Sequence, residues 1–192
     1  MKKYLLIATL TCLTLLTGCT QRVIFDNGNY STNSSYTSDP SASRVVASSF
    51  TLERNASSIS GFRWWGRYLG SNTPQELDEF RIQVYTDENG FPGLEVLDTY
   101  VGGAGRATTA KGGGSTVYEY STSIVTQQLL PETTYWLSIF NDTTIDDNDE
   151  WTWMSADEPR SGKTVQDLTV SPGVWESASD TPRAFQVTAM PF

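Results

Sequence analysis

Trp65, Tyr85 and Trp136 stand in stretches that also hold Arg63, Arg81 and Gln83, and this mixture of rings and planar polar groups suits sugar recognition. A sugar ring stacks on a flat aromatic face while guanidinium and amide groups fix its hydroxyls, giving a mostly apolar site with few polar anchors. The same rings would equally serve as core if loops or a second layer covered them, since tryptophan is usually largely buried. A second set is acidic. Asp142, Asp146, Asp147, Asp149 and Glu150 form the densest run of carboxylates. Hard cations take several oxygen ligands from one loop, so Asp142, Asp146, Asp147 and Asp149 are candidate calcium ligands. Their spacing is not that of an EF-hand, and a solvated loop between strands would carry the same residues. Ser161-Gly162-Lys163-Thr164 ends like a phosphate loop, but the glycine required five positions before Gly162 is Asp157, so a surface turn is expected.

Catalysis finds little to work with. No histidine occurs anywhere, which removes Ser-His and Cys-His nucleophile systems and any His-ligated zinc or iron site. The 22 acids offer many carboxylate pairs for glycoside hydrolysis, and nothing in their spacing singles one out. The expectation is therefore no enzyme and no cofactor, calcium excepted.

The chain opens Met1-Lys2-Lys3, runs apolar from Tyr4 to Leu16, and reaches Leu16-Thr17-Gly18-Cys19. A basic start, a short apolar run and small residues before a cut are the parts of a secretory signal. The apolar run falls well short of the roughly 20 residues that span a bilayer. The final four residues resemble the lipobox of bacterial lipoproteins, which implies cleavage before Cys19 and acylation of its thiol. Acyl chains contribute about 0.8 kcal/mol per buried CH₂, and stable attachment takes more than one chain, which an acylated amino-terminal cysteine supplies. Thr20, where an aspartate would favour retention at the inner membrane, implies by the same resemblance the outer membrane. Residues 1–18 read as signal, 19–22 as lipidated tether and 23–192 as one domain.

Cleavage removes Lys2 and Lys3 and no acid, so the formal net charge moves from −9 to −11. So acidic an exported chain repels phosphate backbones, which excludes nucleic acid as a partner. Cys12 leaves with the signal and Cys19 carries lipid, so no disulfide forms within the mature chain. Stability must come from packing.

Residues 29–43 are almost all Ser, Thr, Asn, Tyr and Asp, and read as a polar loop. Beyond them, short segments alternate with period two between Gly, Pro, Asn and Asp clusters: Val45–Leu52, Ile59–Tyr68, Phe80–Tyr85, Leu94–Val101, Thr116–Ser121, Tyr135–Asn141, Glu150–Met154 and Ala184–Met190. Alternation assigns faces. Phe62, Trp64, Ile82, Val84, Leu137, Ile139, Phe185 and Val187 belong inside, whereas Arg63, Trp65, Arg81, Gln83, Tyr85 and Trp136 point outward.

Several stretches, taken in order, resemble a group of uncharacterised exported bacterial β-domains, often found with a carboxy-terminal sorting anchor of the PEP type. They are Phe25-Asp26-Asn27-Gly28, Val46 to Leu52, Gly61-Phe62-Arg63-Trp64-Trp65-Gly66, Tyr85-Thr86-Asp87, Gly90-Phe91-Pro92-Gly93, Tyr118-Glu119-Tyr120, Leu130 to Ile139 and Ala184-Phe185-Gln186. The resemblance implies an all-β, jelly-roll-like antiparallel sandwich and no particular activity. Ser48 and Ser49 replace acids expected before Phe50. The functional expectation is a lipid-anchored surface module that binds without transforming, glycan first among its ligands. Its partners are then the lipid bilayer, through Cys19, and a glycan or an envelope protein; the alternative is a structural or adhesive envelope lipoprotein, with a glycoside hydrolase third.

Overall fold

Phe80, Ile82 and Val84 alternate with Arg81, Gln83 and Tyr85, so an extended chain here buries one row of side chains and turns the other away. A computed structural model describes residues 21–70, 78–112, 115–143, 150–158, 162–169 and 174–190. The strands among them are β1 (Arg22–Asp26), β2 (Tyr30–Thr37), β3 (Val45–Thr51), β4 (Ser58–Tyr68), β5 (Glu79–Glu88), β6 (Phe91–Gly102), β7 (Gly105–Gly112), β8 (Ser115–Gln128), β9 (Thr134–Asn141), β10 (Trp151–Ala156), β11 (Thr164–Asp167), β12 (Trp175–Ser179) and β13 (Phe185–Ala189), with a short 3-10 turn at Pro40–Ala42.

They form two antiparallel sheets packed face to face, a jelly-roll-like sandwich. The first sheet runs β1-β13-β4-β10-β2, with β8 on the far side of β4 and β7 beyond it; the second runs β12-β11-β3-β9-β5-β6. In the first sheet, one flank of β4 is shared. It pairs with β13 through Gly61–Trp64 and with β10 through Gly66–Tyr68.

Every residue expected inside is buried: Phe62, Trp64, Ile82, Val84, Leu137, Ile139, Phe185 and Val187. Trp64 lies at the centre, stacked on Tyr120 with ring centroids 5.5 Å apart and edge-on to Phe80 at 5.1 Å. Phe80 also meets Trp151 edge-on, completing an aromatic cluster that bridges the sheets. Gly66 makes room for it, because a Cβ there would overlap the Trp151 ring. Gly66→Ala is therefore expected to cost about 1–3 kcal/mol of stability, the scale of overpacking a filled core. Urea denaturation of the two proteins checks this, and equal midpoints would show that Trp151 simply moves aside.

The polar stretch at 29–43 is not the expected loop. Residues Tyr30–Thr37 form β2, which borders the first sheet and pairs with β10 as Tyr36↔Trp153 and Thr37↔Thr152. An edge strand has only one neighbour and one covered face, so it needs little apolar content, and Ser, Thr and Tyr accept extended backbone readily. The following turn is held by Asp39, whose carboxylate accepts from the Ser41 N–H at 2.9 Å, the Trp151 N–H at 3.1 Å and the Thr143 hydroxyl at 2.6 Å.

A buried polar cluster closes this end of the sandwich. The Tyr68 hydroxyl donates to Asp78 and accepts from Asn141 Nδ2 at 2.8 Å, while Arg106 reaches Asp78 at 3.1 Å. Burial raises the pKa of Asp78, opposed by the Tyr68 hydrogen bond and the Arg106 charge.

Candidate ligand cleft on the second sheet

The six residues expected to form one aromatic platform lie on opposite sides of the molecule. Arg63 and Trp65 are on the outward face of β4 in the first sheet. Arg81, Gln83 and Tyr85 of β5 and Trp136 of β9 are on the outward face of the second sheet, with Tyr85 directly across from Trp136. The sandwich core separates the two groups.

The three rings are also covered, contrary to the expected exposed platform. Trp65 packs in a small second cluster with Val117, Met154, Ala156 and Ala184, and Tyr30 stacks on it at 6.0 Å. Its indole N–H donates to Glu119 at 3.2 Å, and the same carboxylate pairs with Arg63 at 3.4 Å. Trp136 is only 1% exposed, packed with Ala47, Tyr85, Val165 and the partly buried Trp175. Its N–H donates to Asp87 at 2.7 Å. Face alternation placed these residues correctly on the outward side. The neighbouring strands of each sheet carry small and apolar outward residues too, and together these bury the large rings.

What remains open on the second sheet is a cleft of about 530 Å³ at the end where β9 finishes. Its rings are Tyr85, Phe140 and Trp175, the last meeting Tyr85 edge-on at 5.9 Å. Phe140 and Trp175 are half-buried. The polar groups are Arg81, Gln83, Glu95, Asp98 and Asp167, with Asp142 at the margin. Strand register positions them: Gln83 faces Asp98 across the β5–β6 pair and Tyr85 faces Glu95, while Asp167 opposes both Val45 and Trp175.

These polar groups are held before any ligand arrives. The Arg81 guanidinium is gripped in a two-pronged pair by Asp98, Nε to Oδ1 at 2.7 Å and a second, shorter contact from Nη2. That hydrogen bonding lowers the pKa of Asp98 and raises that of Arg81. Gln83 donates to Glu95 at 3.0 Å and accepts from the Tyr85 hydroxyl at 2.9 Å. Burial, with Glu95 and Asp98 nearby, keeps the Tyr85 phenol neutral. Asp167 is held in a turn by the N–H and hydroxyl of Thr169, each at 2.8 Å. The arrangement supplies fixed planar donors and acceptors beside two partly open rings.

A smaller hollow of about 330 Å³ lies on the same sheet face toward the other end, edged by Trp136, Asp87, Thr51 and Lys163. Of the stretch expected as a surface turn, Ser161 lies outside the described residues, while Gly162 and Lys163 lead straight into β11. Gly162 has φ +125°, and a Cβ on it would meet the Ser49 carbonyl at 2.6 Å. The Ser49 hydroxyl accepts from the Lys163 N–H at 2.9 Å, and the Thr164 hydroxyl is spent on the Thr181 carbonyl at 2.9 Å.

Of the calcium candidates, Asp142 is described and lies at the cleft margin; Asp146, Asp147 and Asp149 lie outside the described residues. Among the described residues no three acids, cysteines or histidines come together as a metal site. Cys19 also lies outside the described residues. The alternation argument missed Trp175, Glu95, Asp98 and Asp167. Trp175 follows Pro172-Gly173, a turn pair that could have announced β12.

No family model matches this chain, and no curated protein matches it. The fold is similar to a solved structure described as the cysteine protease and lectin-like domains of Cwp84, a surface layer associated protein of Clostridium difficile, at 11% sequence identity and a TM-score of 0.50. The likeness covers 77% of this chain and 32% of that one, so the chain spans well under half the length of that protein. At this identity the likeness is one of fold, and it agrees with an all-β sandwich.

Proposed function

We propose that the chain is a surface lipoprotein, anchored in the outer membrane through Cys19, whose cleft on the second sheet binds a glycan without transforming it. The carrying observation is the cleft itself: Trp175 and Phe140 half-buried beside Arg81 and Gln83, both of which are locked by partners. Sugar binding rewards rings whose faces stay reachable and polar groups that lose no freedom when a hydroxyl arrives. Glu95, Asp98, Asp142 and Asp167 outnumber Arg81 in the lining, which favours neutral or amino sugars over uronic or sulfated ones. The lectin-like description of the Cwp84 structure supports the same class of ligand.

A second reading has one observation in its favour. Trp65, Tyr85 and Trp136 are buried and pack, as they would in a structural or adhesive lipoprotein whose partner is an envelope protein.

Glycan microarray binding of the soluble 20–192 fragment separates the two. Selective glycan binding is the expected outcome, and a blank array with a co-purifying envelope protein would favour the second reading. Trp175→Ala is then expected to weaken the best glycan by about 1–3 kcal/mol, the scale of burying one large side chain, in protein that still folds but melts lower because Tyr85 and Trp136 lose part of their cover. Titration calorimetry reads the affinity. Unchanged binding by the folded Trp175→Ala protein would remove the cleft as the site.

A further inference from the structure

The end of the sandwich opposite the cleft has a different character. There β1 begins, β4 begins, β8 ends and β13 ends. Gln21 is fastened to it by three hydrogen bonds: Nε2 donates to the Ser60 carbonyl at 3.1 Å and the Ser123 hydroxyl at 3.0 Å, and Oε1 accepts from the Thr188 hydroxyl at 2.9 Å. Gly61 keeps the seat open, since a Cβ there would come within 2.8 Å of Gln21 Oε1. Cys19 precedes this fixed residue by two positions, and two residues of chain reach at most about 7 Å.

Among the described residues, the three most exposed aliphatic side chains lie at the same end. Beside Gln21, β8 bulges: Gly61 pairs with Ser123 but Ile59 with Gln127, and Val125 stands on that bulge 91% exposed. Leu130 is 68% exposed and Leu94 72%. Leu130 also edges an apolar hollow of about 490 Å³ whose other walls include Val96, Leu129, Pro131 and Tyr135. A soluble surface seldom gathers its most exposed aliphatic groups without a partner.

We infer that this end of the domain rests on the lipid surface, with Val125 and Leu130 entering the interface between headgroups and acyl chains. The inference depends on the acylation of Cys19 proposed above. A lipidated residue within about 7 Å of Gln21 leaves the domain almost no tether, so the nearest surface must lie against the membrane. Apolar side chains held there gain interfacial burial, and their contribution adds to that of the acyl chains. The cleft at the far end then faces away from the bilayer.

The test uses the full-length lipoprotein with a single added thiol, Val125→Cys, Leu130→Cys or, at the cleft end, Val174→Cys. Each is coupled to an environment-sensitive fluorophore and reconstituted in vesicles of phosphatidylethanolamine and phosphatidylglycerol. Fatty-acid labelling of each variant, with Cys19→Ala as the unlabelled control, reports the anchor independently. The expected result is blue-shifted emission, quenched by spin-labelled lipid, at positions 125 and 130 but not at 174. Acylated protein with no lipid quenching at 125 would overturn the orientation while leaving the anchor standing. A blue shift at 125 without lipid quenching would mean a second protein surface covers this end, and would also overturn it. Protein that takes up no fatty acid would remove the anchor and the orientation together.

Discussion

Raising the pH past 10 is expected to unfold this domain through its tyrosines. Tyr68, Tyr85 and Tyr120 are all buried, and burial is the largest cause raising each of their pKa values above the ordinary 10.0. Asp78 adds to this at Tyr68 and Tyr120, and Glu95 and Asp98 at Tyr85. A group whose pKa is raised by folding contributes stability that is fully present below its unfolded value. That stability is lost as pH climbs toward the folded value. Above pH 10 the unfolded chain sheds three phenolic protons that the folded chain keeps, and each costs about 1.4 kcal/mol per pH unit. Arg183 opposes them. Its guanidinium is buried, Nε on the Thr164 hydroxyl at 3.1 Å and Cζ over the Tyr36 ring at 4.4 Å, and burial pushes its pKa down to about 10. Unfolding lets Arg183 regain a proton, so it returns about one tyrosine's share. The net expectation is a loss of about 3 kcal/mol per unit above pH 10, enough to exhaust a domain stability of roughly 5–15 kcal/mol within a few units. Tyrosinate absorbance and far-ultraviolet circular dichroism, followed together, check this. The last phenols to ionise should do so together with the loss of β signal, and complete ionisation of all the tyrosines in a still-folded protein would refute the account.

Trp64→Ala should lower stability by about 3–5 kcal/mol, the cost of emptying a large aromatic site in a packed core. Trp64 is fully buried and touches both Tyr120 and Phe80, so its loss leaves a hole that two other rings cannot fill without leaving their own contacts. Its indole N–H meets no acceptor among the described residues. Trp64→Phe therefore removes a buried donor that hydrogen-bonds nothing, and the recovered desolvation offsets part of the lost volume. The expected order of stability is wild type, then Phe, then Ala, with the Phe protein much nearer to wild type. Guanidinium denaturation reads it, and similar losses for both variants would mean that volume alone decides at this position.

The core was legible in the sequence where alternation is strong and both neighbours are strands. Phe80, Ile82 and Val84, or Leu137 and Ile139, declare a face because every second residue is large and apolar. Tyr30–Thr37 declared nothing, since a strand bordering a sheet is stabilised by backbone pairing and its polar side chains give no period. The candidate site was half legible. Arg81, Gln83 and Tyr85 were found because they share one strand and one face. Asp98 and Glu95 could not be, because their place beside Arg81 and Gln83 depends on the β5–β6 register, which shifts twice between Val84 and Asp87. Whether a ring on an outward face is open or covered depends on strands far away in the chain. Trp136 is sealed partly by Val165 and Trp175, which alternation within its own strand cannot reveal.

Because β1 pairs with β13, residues 22–26 find their strand partners among residues 186–189. No stretch of early sequence can complete the first sheet alone. A chain of this topology folds slowly, on the order of milliseconds to seconds, because distant segments must meet before their contacts repay the entropy of closing so large a loop. Under the export proposed above, that delay would be useful: a translocating chain that lacks β13 has no finished sandwich to jam the channel, and the sheet would close only after residues 185–189 have crossed.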